Sequence, residues 1–212
     1  MHWSFLLVAA CAATPSLWAQ LDNAPVQPFE FGLSLAGNAY TVSLSDGNDW
    51  QRGTGPGFGL GMLGRYAATD RLTLEVHPTL LFAGADVWYP DGAPTARPNE
   101  FESVIVHLPL RLLADVGPLN RGHPQFGLGL AYGYDFAANN GRTNVALQTP
   151  RWSWELAAGL ELPLRAFTLR PEVVLNASIG DQSDEPLRIR LPGLVRSGFR
   201  MLALRVSFYG AG

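Results

Sequence analysis

RMLALRVSFY, Arg200 to Tyr209, decides the fold. Leu202, Leu204, Val206 and Phe208 fall on one face of an extended strand, and Met201, Ala203, Arg205 and Ser207 on the other. Successive strand side chains point to opposite faces, so the segment separates an apolar face from a small, polar or charged one. About eight segments of the chain carry this pattern, with turn signals between them, which is the signature of a transmembrane β-barrel. The expected fold is all-β: an eight-stranded antiparallel up-and-down transmembrane β-barrel.

The seven earlier strands are expected at Phe29 to Tyr40, Gly57 to Tyr66, Arg71 to Phe82, Phe101 to Leu113, Gln125 to Phe136, Trp152 to Leu162 and Phe167 to Ile179. In the fourth, Val104, Val106, Leu108, Leu110 and Leu112 oppose Ser103, His107 and Arg111. Long Gly/Pro-rich loops follow strands one (Ser43 to Pro56), three (Gly84 to Glu100), five (Ala137 to Arg151) and seven (Gly180 to Arg196). The links after strands two (Ala67 to Asp70) and six (Leu164 to Ala166) are short. Outer-membrane barrels have short periplasmic turns and long external loops, so both chain ends are expected in the periplasm.

Aromatic residues gather at both strand ends, where headgroups should lie. Tyr40, Phe58, Phe82, Trp88, Tyr89, Phe101, Tyr134 and Trp152 mark the long-loop end, and Phe29, Tyr66, Phe126, Phe167, Phe208 and Tyr209 the other. Pro78, Pro109 and Pro171 fall inside strands. Each removes a ladder donor, so local bulges are expected there.

The first residues read differently. Phe5 to Ala13 is an apolar run, followed by Leu17-Trp18-Ala19 and Gln20, so residues 1–19 read as a secretory signal peptide and 20–212 as the barrel domain. A lipoprotein site at Cys11 is the competing reading, but it leaves only a short hydrophobic core ahead of it. Cleavage after Ala19 removes the single cysteine and with it any disulfide or thiolate metal site. What remains is roughly 190 residues, one domain's worth. Net charge is -3 with signs interspersed, which excludes a basic nucleic-acid stripe.

A soluble lipocalin-like ligand-binding barrel would also alternate, but with its apolar face inward. The glycines discriminate. Gly57, Gly59, Gly61, Gly127, Gly129 and Gly133 share a face with the charges. Glycine weakens a strand without benefit on a wet exterior, whereas the narrow interior of an eight-stranded barrel must mix bulky and tiny residues. Glu30, Arg65, Arg71, Glu75, Arg111, Glu161, Arg170, Glu172 and Arg205 then point inward, toward the periplasmic half. Glu75 beside Arg111, Glu161 beside Arg170 and Glu172 beside Arg205 suggest an ion-pair network that fills the lumen, since a buried charge must be paired.

Three segments carry a resemblance: Val106-His107-Leu108-Pro109-Leu110-Arg111-Leu112, then Pro124-Gln125-Phe126-Gly127-Leu128-Gly129 with Tyr132, then Trp154-Glu155-Leu156-Ala157-Ala158-Gly159-Leu160-Glu161. In these the chain resembles the PorT-like outer-membrane β-barrel family of Bacteroidota. The resemblance implies an eight-stranded outer-membrane barrel, and some family members are linked to protein secretion and gliding. It implies no catalytic residue.

No reaction centre emerges, and no enzyme activity or cofactor is expected. Glu75, His77 and Thr79 share a face, as do Ser103 and His107, but a nucleophile needs an adjacent, oriented base, and threonine substitutes poorly for serine. His77, His107 and His123 lack metal-ligand spacing. A monomer is expected, with outer-membrane lipid and lipopolysaccharide as partners, no nucleic acid, and secretion-machinery proteins if the resemblance extends to role. Trp50, Trp88, Tyr89, Arg188 and Arg190 are the candidate loop contacts.

Overall fold

Nine strands make one closed sheet: β1 (Phe29–Ser45), β2 (Trp50–Ala67), β3 (Leu72–Val76), β4 (Thr79–Val87), β5 (Asn99–Asp115), β6 (His123–Asp135), β7 (Arg151–Pro163), β8 (Phe167–Ser178) and β9 (Arg196–Gly210). This computed structural model describes residues 29–88, 99–119, 122–136, 150–183, 188, 191 and 193–210. The expected signal peptide, Cys11 and the cleavage junction lie outside them. All pairings are antiparallel, and β1 pairs with both β2 and β9, which closes the ring.

β3 and β4 are one wall strand broken at His77-Pro78, since both pair with β2 on one side and β5 on the other; the ring therefore has eight members. The bulges expected at the prolines do not form. Val76 faces Leu110 and Thr79 faces His107, so the register is unchanged across the break. Opposed antiparallel residues exchange two backbone hydrogen bonds, and here one is replaced. The His77 amide donates to the Pro109 carbonyl at 3.1 Å. Pro109 has no N–H to return, and the Thr79 hydroxyl donates to the His77 carbonyl instead, at 3.0 Å. At Pro171 the β7–β8 ladder skips from Gly159–Glu172 to Leu162–Leu169, again without a change of register.

The pairing also fixes the shear. Stepping from partner to partner around the ring leads from Glu30 through Arg65, Glu75, Arg111, Gly129, Glu155, Asn176 and Met201 to Tyr40, ten residues further along β1. Strand number and stagger together set barrel width, and eight strands enclose an interior that side chains just fill.

Outward faces carry Phe31, Leu33, Leu60, Met62, Leu110, Leu128, Leu130, Leu202 and Leu204, all exposed. An apolar belt of this size cannot face water, so hydrocarbon is its solvent and the soluble lipocalin-like alternative is excluded.

Near the long-loop end the polarity inverts. On β1, Leu33 and Leu35 point out while Ser34 is buried, but beyond Ala39 it is Tyr40, Val42 and Leu44 that are buried, with Thr41 and Ser43 outside. These inward residues join Leu81, Val87, Phe101, Ile105, Phe199 and Met201 in an apolar core, closed by Leu191 and Leu194 of the β8–β9 connection. The expected small, polar or charged interior holds only in the lower part. Above the bilayer the outside is wet, so the sheet must bury its apolar face as a soluble protein does.

Two related expectations change with this. Most of the first long loop is strand: β1 runs to Ser45 and β2 starts at Trp50, joined by a tight turn in which the Asp46 carboxylate accepts the Asn48 and Asp49 amides at 2.9 Å each. Gly47 takes a φ of 100° there, a conformation L side chains rarely adopt. Tyr40, Phe101 and Tyr209 leave the expected aromatic belts for the interior, whereas Phe29, Phe58, Tyr66, Trp88, Phe126, Trp152 and Phe208 remain exposed.

Leu204, 68% exposed at mid-belt, tests the outward assignment. Leu204→Arg should cost about 2–4 kcal/mol of folding stability in lipid vesicles, the range for a midplane arginine on a lipid-facing strand. Urea titration of the vesicle-inserted protein reads this; an unchanged midpoint contradicts the assignment.

Candidate functional site: the charged half of the lumen

Between the apolar core and the short-turn end, the lumen holds ionised side chains. Arg111 is the hub and is fully buried. Its guanidinium meets Glu75, Glu155 at 3.2 Å and Glu172 at 3.0 Å. Arg205 reaches Glu172 at 2.7 Å and Glu155 at 3.2 Å. Arg170 reaches Glu75 at 2.6 Å and Glu172 at 3.6 Å. Arg65 joins Glu30 at 2.9 Å, Glu75 at 3.5 Å and Glu161, and lies 4.4 Å from the Tyr209 ring centroid. The Tyr209 hydroxyl donates to Glu161.

The alternation of the strands builds this cluster. Glu30, Arg65, Glu75 and Arg111 are consecutive partners on β1, β2, β3 and β5, so signs alternate along one rung of the sheet. The next member of that rung is Gly129 on β6, followed by Glu155 on β7. Glycine is needed at that point: a Cβ on it would stand 2.6 Å from the Arg111 Cβ and 2.4 Å from the Leu110 carbonyl oxygen. The missing side chain leaves the path along which Arg111 crosses β6 to Glu155.

Eight of the nine residues expected in the network line the lumen. Arg71 does not: β3 begins at Leu72, and Arg71 is exposed in the turn before it, beyond the end of the lumen. Glu161 turns to Arg65 and Tyr209 rather than to Arg170. Glu155 and His77 belong to the cluster although only the alternation of their strands pointed to them; no charge at β6 signalled a partner for Glu155, because its partner lies two strands away.

Ser34, His77 and Glu75 stand in nucleophile, base and orienting-acid order. The Ser34 hydroxyl is 2.6 Å from the His77 Nε2, and the His77 Nδ1 is 3.3 Å from Glu75. The Gly61 backbone packs close against this pair: an added Cβ on it would lie 2.7 Å from both the Ser34 and Thr79 hydroxyl oxygens. Glu75 is held by Arg111 and Arg170. The trio is buried and hydrogen-bonded next to the strand break. Higher up, His107 Nε2 meets the Asn176 amide at 3.1 Å.

Of the expected loop contacts, Trp50 opens β2 and is exposed, and Trp88 is exposed just past β4. Tyr89 and Arg190 lie outside the described residues. Arg188 is engaged, bonding Asp181 at 2.9 Å and the Ser183 hydroxyl at 3.0 Å. Burial works to raise the Asp181 pKa, but hydrogen bonds from Ser183, the Ser197 amide and Arg188 outweigh it and hold the carboxyl below its ordinary value. This tie is intact at neutral pH and lost only on acidification below the usual carboxylate range.

The barrel is similar to the outer membrane protein AlkL solved by solid-state NMR in DMPC bilayers, with a TM-score of 0.50 at 16% identity over 88% of this chain and 92% of that one. It is also similar to Neisserial surface protein A (TM-score 0.41, 12% identity, 82% and 95% covered) and to the N-terminal β-barrel domain of Pseudomonas aeruginosa OprF (TM-score 0.39, 15% identity, 83% and 96% covered). No protein-family model matches the sequence, and no curated protein matches it significantly. At such identity the AlkL likeness carries the fold and nothing more specific.

Removing one partner from a buried pair leaves an uncompensated charge, at about 3–5 kcal/mol. Glu155→Gln and Arg111→Met should each lower stability by about that amount in urea titrations in vesicles. Gly129→Val should be at least as damaging despite changing no charge. Wild-type stability in Gly129→Val would show that the glycine path is not needed.

Proposed function

We propose that the chain is a monomeric bacterial outer-membrane barrel with a closed lumen, long loops external and both ends periplasmic. It acts through its surface, in binding or structural support, rather than by catalysis or conduction. One observation carries this reading: among the described residues, charged side chains pack the lower lumen and apolar ones the upper. Arg111 and its three glutamates occupy the lower part, and Leu191, Leu194, Phe199 and Tyr40 the upper. Between them, the cavity beside His107, Asn176 and Arg151 is only about 10 Å³, room for one water at most. Among the described residues that leaves too little space there for a continuous water file.

The belt of outward leucines and phenylalanines supports membrane residence, and the likeness to AlkL supports the outer membrane as its setting. The PorT-like resemblance around Pro109 extends the same reading to a part in a secretion assembly, acting through loops or periplasmic turns. Pull-down from solubilised membranes tests that extension: recovery of secretion components favours it, and recovery of lipid and bulk porins alone counts against it.

Purified protein in planar bilayers should give no large stepwise conductance. Stable channels from the wild type would overturn the closed-lumen reading.

A further inference from the structure

Three arginines stand outside the barrel where its polarity inverts. Arg196 and Arg200 on β9 face Ser45 and Thr41 of β1, and Arg52 on β2 faces Ser43 from the other side. All three are exposed, on the outward parity of their strands. The rows beneath them, Ala39 with Leu202 and Pro56, then Gly37 with Leu204 and Phe58, belong to the apolar belt. From Phe29 to Ala39 the outward positions of β1 run along the strand for about 33 Å, which a barrel tilt reduces to about 25 Å of height, the thickness of the apolar band of such barrels. Arg200 and Arg52 sit in the first rows above that band, where lipid phosphates lie.

The arginines form a triangle. Arg52 lies two strands and two residues from each of the others, about 12 Å between Cα atoms, and Arg196 and Arg200 are about 13 Å apart. Long guanidinium side chains at these spacings can converge over Ser43, with the Thr41 and Thr54 hydroxyls, 2.9 Å from each other, at the lower edge. None of the three has an ion-pair partner among the described residues. The nearby carboxylates are Asp46 and Asp49 on the turn, Asp86 on β4 and Asp181. Asp46 is bonded to the turn amides and Asp181 to Arg188, Ser183 and Ser197. On the next two strands the exterior is acidic instead: Asp86 on β4, the neighbour of β2 and close to Arg52, and Glu102 on β5 both face outward. Positive charge is thus concentrated on one sector, β9–β1–β2, in the three outward rows above the apolar belt, with Asp86 at its edge.

We infer that Arg52, Arg196 and Arg200 form a docking surface for the phosphate group of an outer-leaflet glycolipid, resting on the membrane reading above. The chemistry is charge-assisted: guanidinium forks match phosphate oxygens, and each such bond exceeds a neutral hydrogen bond. The acyl chains of the same lipid would lie along Leu202, Leu204, Pro56 and Phe58 directly below.

The full chain, reconstituted in nanodiscs, is tested for retention of bis-phosphorylated lipid A and of the same lipid dephosphorylated, read by native mass spectrometry. Wild type should retain the phosphorylated form at least about tenfold better, and the Arg52→Gln/Arg196→Gln/Arg200→Gln variant should lose that preference. Inorganic phosphate at matched concentration should not displace the lipid. Equal retention of the two lipids by wild type overturns the inference without any variant; so does a preference that survives the triple substitution in barrels still heat-modifiable on gels, or displacement by inorganic phosphate. Vesicle flotation is scored separately: wild type that fails to insert overturns the membrane reading, while insertion without phosphate preference overturns the docking surface alone.

Discussion

Arg111 cannot keep its charge unless Glu75, Glu155 and Glu172 surround it, and the lower barrel is organised around that demand. A guanidinium inside a closed wall has no water to lean on, so desolvation must be offset by several carboxylates at hydrogen-bond distance. Three strands supply them, and a fourth, β6, contributes by withholding a side chain at Gly129. Arg65, Arg170 and Arg205 share the same glutamates, so each carboxylate serves two or more cations. Such sharing ties seven of the eight wall strands together through their interior, in addition to the backbone ladder.

Above this cluster the physical problem changes, and so does the solution. Where hydrocarbon bathes the wall, apolar residues go outward and the interior takes the charges. Where water bathes it, Val42, Leu44, Phe101 and Phe199 turn inward while Thr41, Ser43 and Arg52 face out. One strand, β1, serves both regimes without a bulge, because residues 36–39 are Ala, Gly, Asn and Ala, small enough to hand the apolar phase from one parity to the other.

Much of this was legible in the chain. Alternation alone located the wall strands, because period two survives any error in their ends. It placed Glu75 and Arg111 on one face because both lie mid-strand. It misplaced Arg71 since a strand boundary, unlike a face, depends on turn geometry that the sequence states weakly. Tyr40 and Phe101 were read as interfacial because an aromatic at a strand end suits both a belt and a core; the parity inversion that separates the two cases spans only a few small residues. The bulges expected at the prolines failed for a different reason. A lost ladder donor can be replaced by a side chain, and the Thr79 hydroxyl, two residues from His77, does so.

The rung from Glu30 to Asn176 has one more implication. An alternating pattern cannot by itself tell a correct pairing from one slipped by two residues, since both keep leucines outside. The charges can. Sliding β5 by two positions against β3 would set Glu75 opposite Leu113 or Pro109 and strand Arg111 against an uncharged neighbour. The buried ions therefore serve as a proofreading code for closure, rejecting misaligned rings that hydrophobicity would accept.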